Sequence, residues 1–217
     1  MSSTTTLRIT EIFHSLQGES KTVGIPTVFI RLTGCPLRCQ YCDTAYAFDG
    51  GELMELEAIK AVLEKFGCDY VTVTGGEPLA QPNCLSLLEQ LCESCYNVSL
   101  ETSGSLAIER VDKRVSIVMD LKTPASKEAD KNRYENIAFL KPSDQVKFVI
   151  CDEKDYLWSK AKLDQYDLGA KVNEILFSPS FEEMEPAQLA EWILRDKLKI
   201  RMQMQLHKQI WGSVAGK

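Results

Sequence analysis

Short apolar, β-branched runs alternate along this chain with segments whose apolar positions recur at helical spacing. Thr27-Val-Phe-Ile-Arg-Leu32 reads as the first core strand. Leu56, Ile59, Val62, Leu63 and Phe66 then fall on one helical face. Tyr70-Val-Thr-Val-Thr74 is a strand that stops at a double glycine, and Pro82 opens a helix carrying Leu85, Leu88 and Leu91. Strands follow at 97–102, 116–121, 145–150 and 174–177, the last leading into a helix through Leu189, Trp192 and Ile193. Arg201-Met-Gln-Met-Gln-Leu206 alternates like a final strand with one apolar face. This order predicts an α/β fold, a partial or modified (β/α) barrel of roughly six parallel βα units. A full eight-unit barrel takes about 250 residues, and this chain has 217. No repeat, linker or low-complexity stretch interrupts it, so 1–217 is expected to be a single domain.

Composition narrows the class. Hydrophobic residues make up 44% and charged residues 26%, as in ordinary globular proteins. No apolar run approaches bilayer length, and Met1 to Thr10 lacks the apolar core of a signal peptide, so a cytoplasmic protein with no membrane partner is expected. The net charge of −6 and the lack of a dense Lys/Arg patch argue against a nucleic-acid partner. Eight cysteines without an export signal point to reduced thiols and metal rather than disulfides. Cys68, Cys84, Cys92, Cys95 and Cys151 read as small buried hydrophobes.

The remaining three cysteines carry the chemistry. Cys35, Cys39 and Cys42 stand at C-x3-C-x2-C spacing just after the first core strand. Three thiolates this close can hold three irons of a [4Fe–4S] cluster, leaving the fourth iron open, as catalytic metal sites do. A zinc site joining Cys39 and Cys42 to Cys92 and Cys95 is the alternative; it leaves Cys35 without a role. Other informative segments also fall at strand ends: Gly75-Gly76-Glu77, Glu101-Thr102-Ser103-Gly104, Asp120-Leu121-Lys122 and Ser178-Pro179-Ser180. Parallel α/β sheets bind ligands at that edge.

The cysteine run, with Tyr41 before its last cysteine, and Thr74-Gly75-Gly76-Glu77-Pro78 resemble the radical S-adenosylmethionine (SAM) superfamily. Further segments resemble one family within it, the 7-carboxy-7-deazaguanine synthases. They are Glu11-Ile-Phe-His-Ser-Leu-Gln-Gly-Glu19, Gly24 through Cys35, Cys42-Asp43-Thr44, Glu101-Thr102-Ser103-Gly104 and His207-Lys208. The resemblance implies a barrel-like radical SAM core, a [4Fe–4S] cluster, SAM and Mg2+ as cofactors, and a flavodoxin- or ferredoxin-like electron donor. It also implies a homodimer. The implied reaction converts 6-carboxy-5,6,7,8-tetrahydropterin to 7-carboxy-7-deazaguanine with loss of ammonia, on the way to preQ0 and queuosine. A 5′-deoxyadenosyl radical would take a hydrogen from C6 of the pterin and return one later, so that SAM is regenerated.

By the same resemblance Cys35, Cys39 and Cys42 hold the cluster and Thr44 binds Mg2+. Tyr41, Cys42, Asp43, Gly75, Gly76, Glu77, Gly104, Asp120, Leu121, Lys122, Ser178, Pro179 and Ser180 contact SAM, with Glu77 accepting from its ammonium. Leu16, Gln17, Gly18, Arg31 and Thr102 contact the pterin. Arginine's fork suits the substrate carboxylate, although Arg31 also reads as one half of a surface ion pair. His14 and His207 show no ligand spacing. Some relatives end soon after the His-Lys on a proline that meets the substrate; here Gln209 through Lys217 follow, which leaves a role for the C-terminus open. A radical SAM activase that places a glycyl radical on a partner protein is the rival reading. It would need neither Leu16-Gln17-Gly18 nor Asp43-Thr44.

Overall fold

A computed structural model describes residues 5–212, 214 and 216. The expected domain span, the N-terminal segment from Met1 and the tail to Lys217 thus lie partly outside the described residues. One nine-stranded sheet organises the chain, in the order β3-β1-β2-β4-β5-β6-β7-β8-β9, and its two ends do not pair. Its strands are β1 (Thr6–Leu16), β2 (Pro26–Leu32), β3 (Glu52–Glu55), β4 (Tyr70–Gly75), β5 (Asn97–Thr102), β6 (Ser116–Asp120), β7 (Gln145–Ile150), β8 (Glu174–Pro179) and β9 (Arg201–Met202). β2 and β4 to β9 run parallel, while β1 and β3 add an antiparallel edge.

Helices α1 (Leu56–Glu64), α2 (Cys84–Glu93), α3 (Glu153–Gln165), α4 (Leu168–Lys171), α5 (Pro186–Arg195) and α6 (Leu206–Trp211) complete the described elements, apart from short 3-10 turns. The parallel, unclosed barrel agrees with the sequence pattern. Two of its crossovers, β5–β6 and β6–β7, carry no α-helix. The last strand is corrected. It pairs only through Arg201 and Met202, and the chain then turns away so that Leu206 opens α6.

The two faces of the sheet differ in chemistry. Outward residues Ile30, Leu32, Val71, Val73, Leu100, Ile117, Met119, Val146, Phe148 and Phe177 pack with Leu56, Ile59, Leu87, Leu88, Leu91 and Leu189 of the helices. Burying each such side chain stabilises the fold by about 1.5–3 kcal/mol. The alternate positions face inward and are mostly polar or charged: Arg31, Thr74, Glu101, Asp120, Lys147 and Ser178 line an internal cavity. Alternation along each strand therefore builds a core on one side and a site on the other.

β1 reaches this arrangement through a bulge. Ile9 pairs with Leu32 and Glu11 with Arg31, so one extra residue lies between them. Leu7 and Ile9 face the core; strict alternation would send Glu11 there too. The bulge at Thr10, whose hydroxyl bonds Thr33 Oγ1 at 2.7 Å, reverses the phase. Phe13 then joins the cavity wall, stacked on Phe29 at 4.9 Å.

Candidate active site

The carboxyl ends of the parallel strands surround a cavity of about 520 Å3, well within the size of small-molecule sites. Cys35, Cys39 and Cys42 line one side of it and form no disulfide. Their loop is held by backbone bonds from Gly34 N to Ala47 O (2.8 Å) and from Gln40 N to Ser126 O (3.1 Å). Arg38 Nη1 donates to Cys35 O and Leu37 O at 2.8 and 2.7 Å, and its guanidinium covers the Phe48 ring. Burial pushes all three thiols up, Cys39 to about 11; Cys35 and Cys39 also feel the charge of Cys42. Three neighbouring free thiols opening on one cavity fit the donor set of a [4Fe–4S] cluster with one open iron.

The zinc alternative does not fit. Cys92 lies in the last turn of α2 and Cys95 just beyond it, before β5 and at the amino edge of the sheet, whereas the cluster loop leaves the carboxyl end of β2. Among the described residues no three His, Cys, Asp or Glu side chains could hold a single ion. Cys95, expected to be buried, is exposed.

Gly75 and Gly76 serve the cluster loop directly. A Cβ on Gly75 (φ +147°) would stand 2.2 Å from Leu32 O, and one on Gly76 2.3 Å from Gly34 O. Glu77 N donates to Gly34 O at 2.8 Å. The close approach that glycine permits is thus to the backbone around Cys35. Glu77 itself is fully buried and does not line the cavity. Its carboxylate accepts from Thr102 Oγ1 (2.9 Å), Ser103 N (2.7 Å), Ser103 Oγ and Leu79 N (3.0 Å). As placed, Glu77 braces the Thr102–Ser103 turn. Gly104 and Leu121 also stay out of the lining; Leu121 is buried in the core.

The other expected residues come together around the cavity: Leu16, Gln17, Gly18, Arg31, Tyr41, Asp43, Thr44, Thr102, Asp120, Lys122, Ser178, Pro179 and Ser180. Gln17 is buried in the floor. It accepts from Glu19 N at 3.1 Å and donates to Thr72 Oγ1 and Glu101 Oε1 at 3.2 and 3.3 Å. Arg31 Nε donates to Glu11 at 2.7 Å, with side-chain exposures of 15% and 23%, so the pair is more sheltered than a surface ion pair. Asp43 takes Thr44 Oγ1 at 2.9 Å and Lys208 Nζ at 3.0 Å. Burial opposes its charge, but Lys208 holds it below the usual carboxylate range.

Sequence reasoning gave no site role to Glu19, Lys147, His207 or Glu101, all of which line the cavity. Lys147 pairs with Glu19. Burial opposes the lysine's charge, and Glu19 and Asp120 hold its pKa above the ordinary range. Lys122 is held up in the same way by Asp120, 3.1 Å away, and by Cys39. Burial, then the charge of Glu19, pushes Glu101 up. Burial lowers His207. Glu19 Oε1, Asp120 Oδ1 and Ser178 Oγ are buried without a hydrogen-bond partner among the described residues. All three belong to residues that line the cavity.

The Radical SAM superfamily matches residues 29–137, which hold the three cysteines and Gly75-Gly76-Glu77. A 7-carboxy-7-deazaguanine synthase from Chlorobaculum tepidum is 44% identical, covering 98% of this chain and 97% of its own length. The chain belongs to the 7-carboxy-7-deazaguanine synthase family. A relative of the same name from Koribacter versatilis is 42% identical over 94% of this chain and 97% of its own. QueE from Escherichia coli superposes with a TM-score of 0.73 over 93% of this chain and 95% of its own, at 23% identity. That likeness supports the partial-barrel fold of this synthase-family chain. Radical SAM membership carries with it the [4Fe–4S] cluster and SAM as cofactors. No helix among the described residues is long and apolar enough to cross a membrane.

Proposed function

We propose that this chain converts 6-carboxy-5,6,7,8-tetrahydropterin to 7-carboxy-7-deazaguanine and ammonia. Membership of the synthase family favours this reaction over glycyl-radical activation of a partner protein. The observation that carries the reading at the site is that three free thiols and the polar floor of Gln17, Arg31, Glu101 and Thr102 share one cavity. Product and ammonia together contain every atom of the substrate, so the reaction consumes no net oxidant.

Cys35, Cys39 and Cys42 would hold the cluster, with Tyr41, Asp43, Asp120, Lys122 and Ser178-Pro179-Ser180 beside SAM. The bound cluster and SAM supply radical hydrogen abstraction, which acid–base groups alone do not provide. The chain's own residues bind and orient. Arg31 supplies a cation for the substrate carboxylate. Glu101 takes one protein donor on each oxygen, from Gln17 and Thr74, and its remaining lone pairs suit the paired N–H donors of a pterin's amide edge. Thr44 and Asp43 offer oxygens to a Mg2+ ion that otherwise keeps water and substrate ligands. A cytoplasmic setting, a flavodoxin- or ferredoxin-like donor and a homodimer complete the proposal by family resemblance.

The test is to incubate cluster-loaded, reduced protein with SAM and the carboxypterin deuterated at C6. Deazaguanine product with deuterium in recovered SAM is the expected result. Absence of product overturns the reading. One 5′-deoxyadenosine released per product would remove the cofactor role of SAM.

A further inference from the structure

Arg31 and Glu11 stand directly opposite each other across β1 and β2 only because of the bulge at Thr10. Glu11 Oε1 accepts two bonds there, from Arg31 Nε at 2.7 Å and from the Tyr46 hydroxyl at 2.8 Å. The Arg31 guanidinium carbon lies 5.7 Å from the ring centroids of both Phe13 and Tyr46. Nε is the only Arg31 side-chain nitrogen hydrogen-bonded among the described residues. The guanidinium is therefore held by one edge and flanked by two rings, and its terminal amino groups remain for a ligand.

We propose that Glu11, locked by Tyr46, is a positioning residue that aims the Arg31 fork at a carboxylate in the cavity. The inference rests on the proposed carboxypterin reading. End-on recognition of a carboxylate uses both terminal amino groups in parallel, so a contact that fixes the plane through Nε orients the fork without occupying it. Fixing it beforehand reduces the side-chain entropy lost on binding. A charge pair serving stability alone would require neither the bulge nor the second donor on the same oxygen.

Glu11→Ala, Glu11→Gln and Tyr46→Phe, each cluster-loaded, separate positioning from bulk structure. Equilibrium binding of oxidised 6-carboxypterin is compared with that of pterin lacking the carboxylate, and kcat and KM are measured alongside. Glu11→Ala is expected to weaken the carboxylated ligand about tenfold or more, equivalent to about 1.4 kcal/mol. It should leave the plain pterin unchanged and raise KM with little change in kcat. Glu11→Gln keeps an oxygen for Nε and should restore binding to within about threefold of the parent, while Tyr46→Phe should fall between. Equal weakening of both ligands, a Gln variant as poor as Ala, or unchanged binding in all three would overturn the proposal. Should Glu11→Ala not fold, the Gln and Phe variants still decide it. If the parent protein fails to prefer the carboxylated pterin, the carboxypterin reading itself fails, and that result is visible before any variant is made.

Discussion

Glu77 separates what a motif implies from what a side chain does. The Gly-Gly-Glu-Pro run reads as a SAM contact, yet its carboxylate is surrounded by protein donors from Leu79, Thr102 and Ser103. Leaving such buried donors unmatched costs about 1–3 kcal/mol each. Glu77→Gln is therefore expected to lower the melting temperature of the ligand-free protein, read by thermal unfolding. An unchanged transition would return Glu77 to direct ligand contact. Cys39→Ala should abolish stable cluster assembly, seen as lost iron, sulfide and visible absorbance, while Cys84→Ala, at a buried position in the first turn of α2, should retain it. Turnover by the Cys39 variant would defeat the cluster assignment. The cysteines and glycines were legible because their chemistry depends on spacing. Lys147 was not singled out, although a lysine between Val146 and Phe148 in an apolar strand marks an inward charge. Its role depends on Glu19, 128 residues away in sequence.

At the level of elements, strands β2, β4, β5 and β7 followed from apolar runs bounded by turns. Helix α3 escaped notice because much of its buried face is polar. Asp155 and Ser159 are buried in it, and Asp155 takes the backbone N–H groups of Ala125 and Cys151. Helix α6 was hidden behind an alternating pattern that suggested a strand. The alternation is real, but Gln203 is drawn aside by accepting from Ser20 N at 2.8 Å, and Leu206 N docks on Gly18 O at 3.0 Å. This docking brings His207 and Lys208 to the cavity and depends on a bare Cα. A Cβ on Gly18 would lie 2.0 Å from His207 Nδ1. Gly18→Ala should therefore displace the start of α6 and weaken the Lys208–Asp43 pair. Faster amide exchange over 206–211 and weaker pterin binding are the expected readouts, and unchanged protection there would show that α6 is held by other contacts.

Across the whole molecule, period-two alternation gives parallel strands β2 and β4 to β8 one face for the helices and one for the cavity, which is why fold class was readable from pattern alone. The edge strands β1 and β3 were not, since the bulge at Thr10 breaks the period within β1 and β3 is only four residues long. The inward face also sets an energetic balance. Charged and polar groups gathered there, among them Glu101, which burial pushes up, and the unpartnered Asp120 Oδ1 and Ser178 Oγ, oppose folding while the cavity is empty. Occupancy and folding are consequently linked equilibria. A ligand at a hundredfold its Kd adds about 2.7 kcal/mol to the folded state, which for a chain of this size raises the Tm by roughly 5–10 °C. Melting cluster-loaded protein with increasing SAM should show this rise. A transition that stays fixed at saturating SAM would mean that the inner face is already at rest without its cofactor.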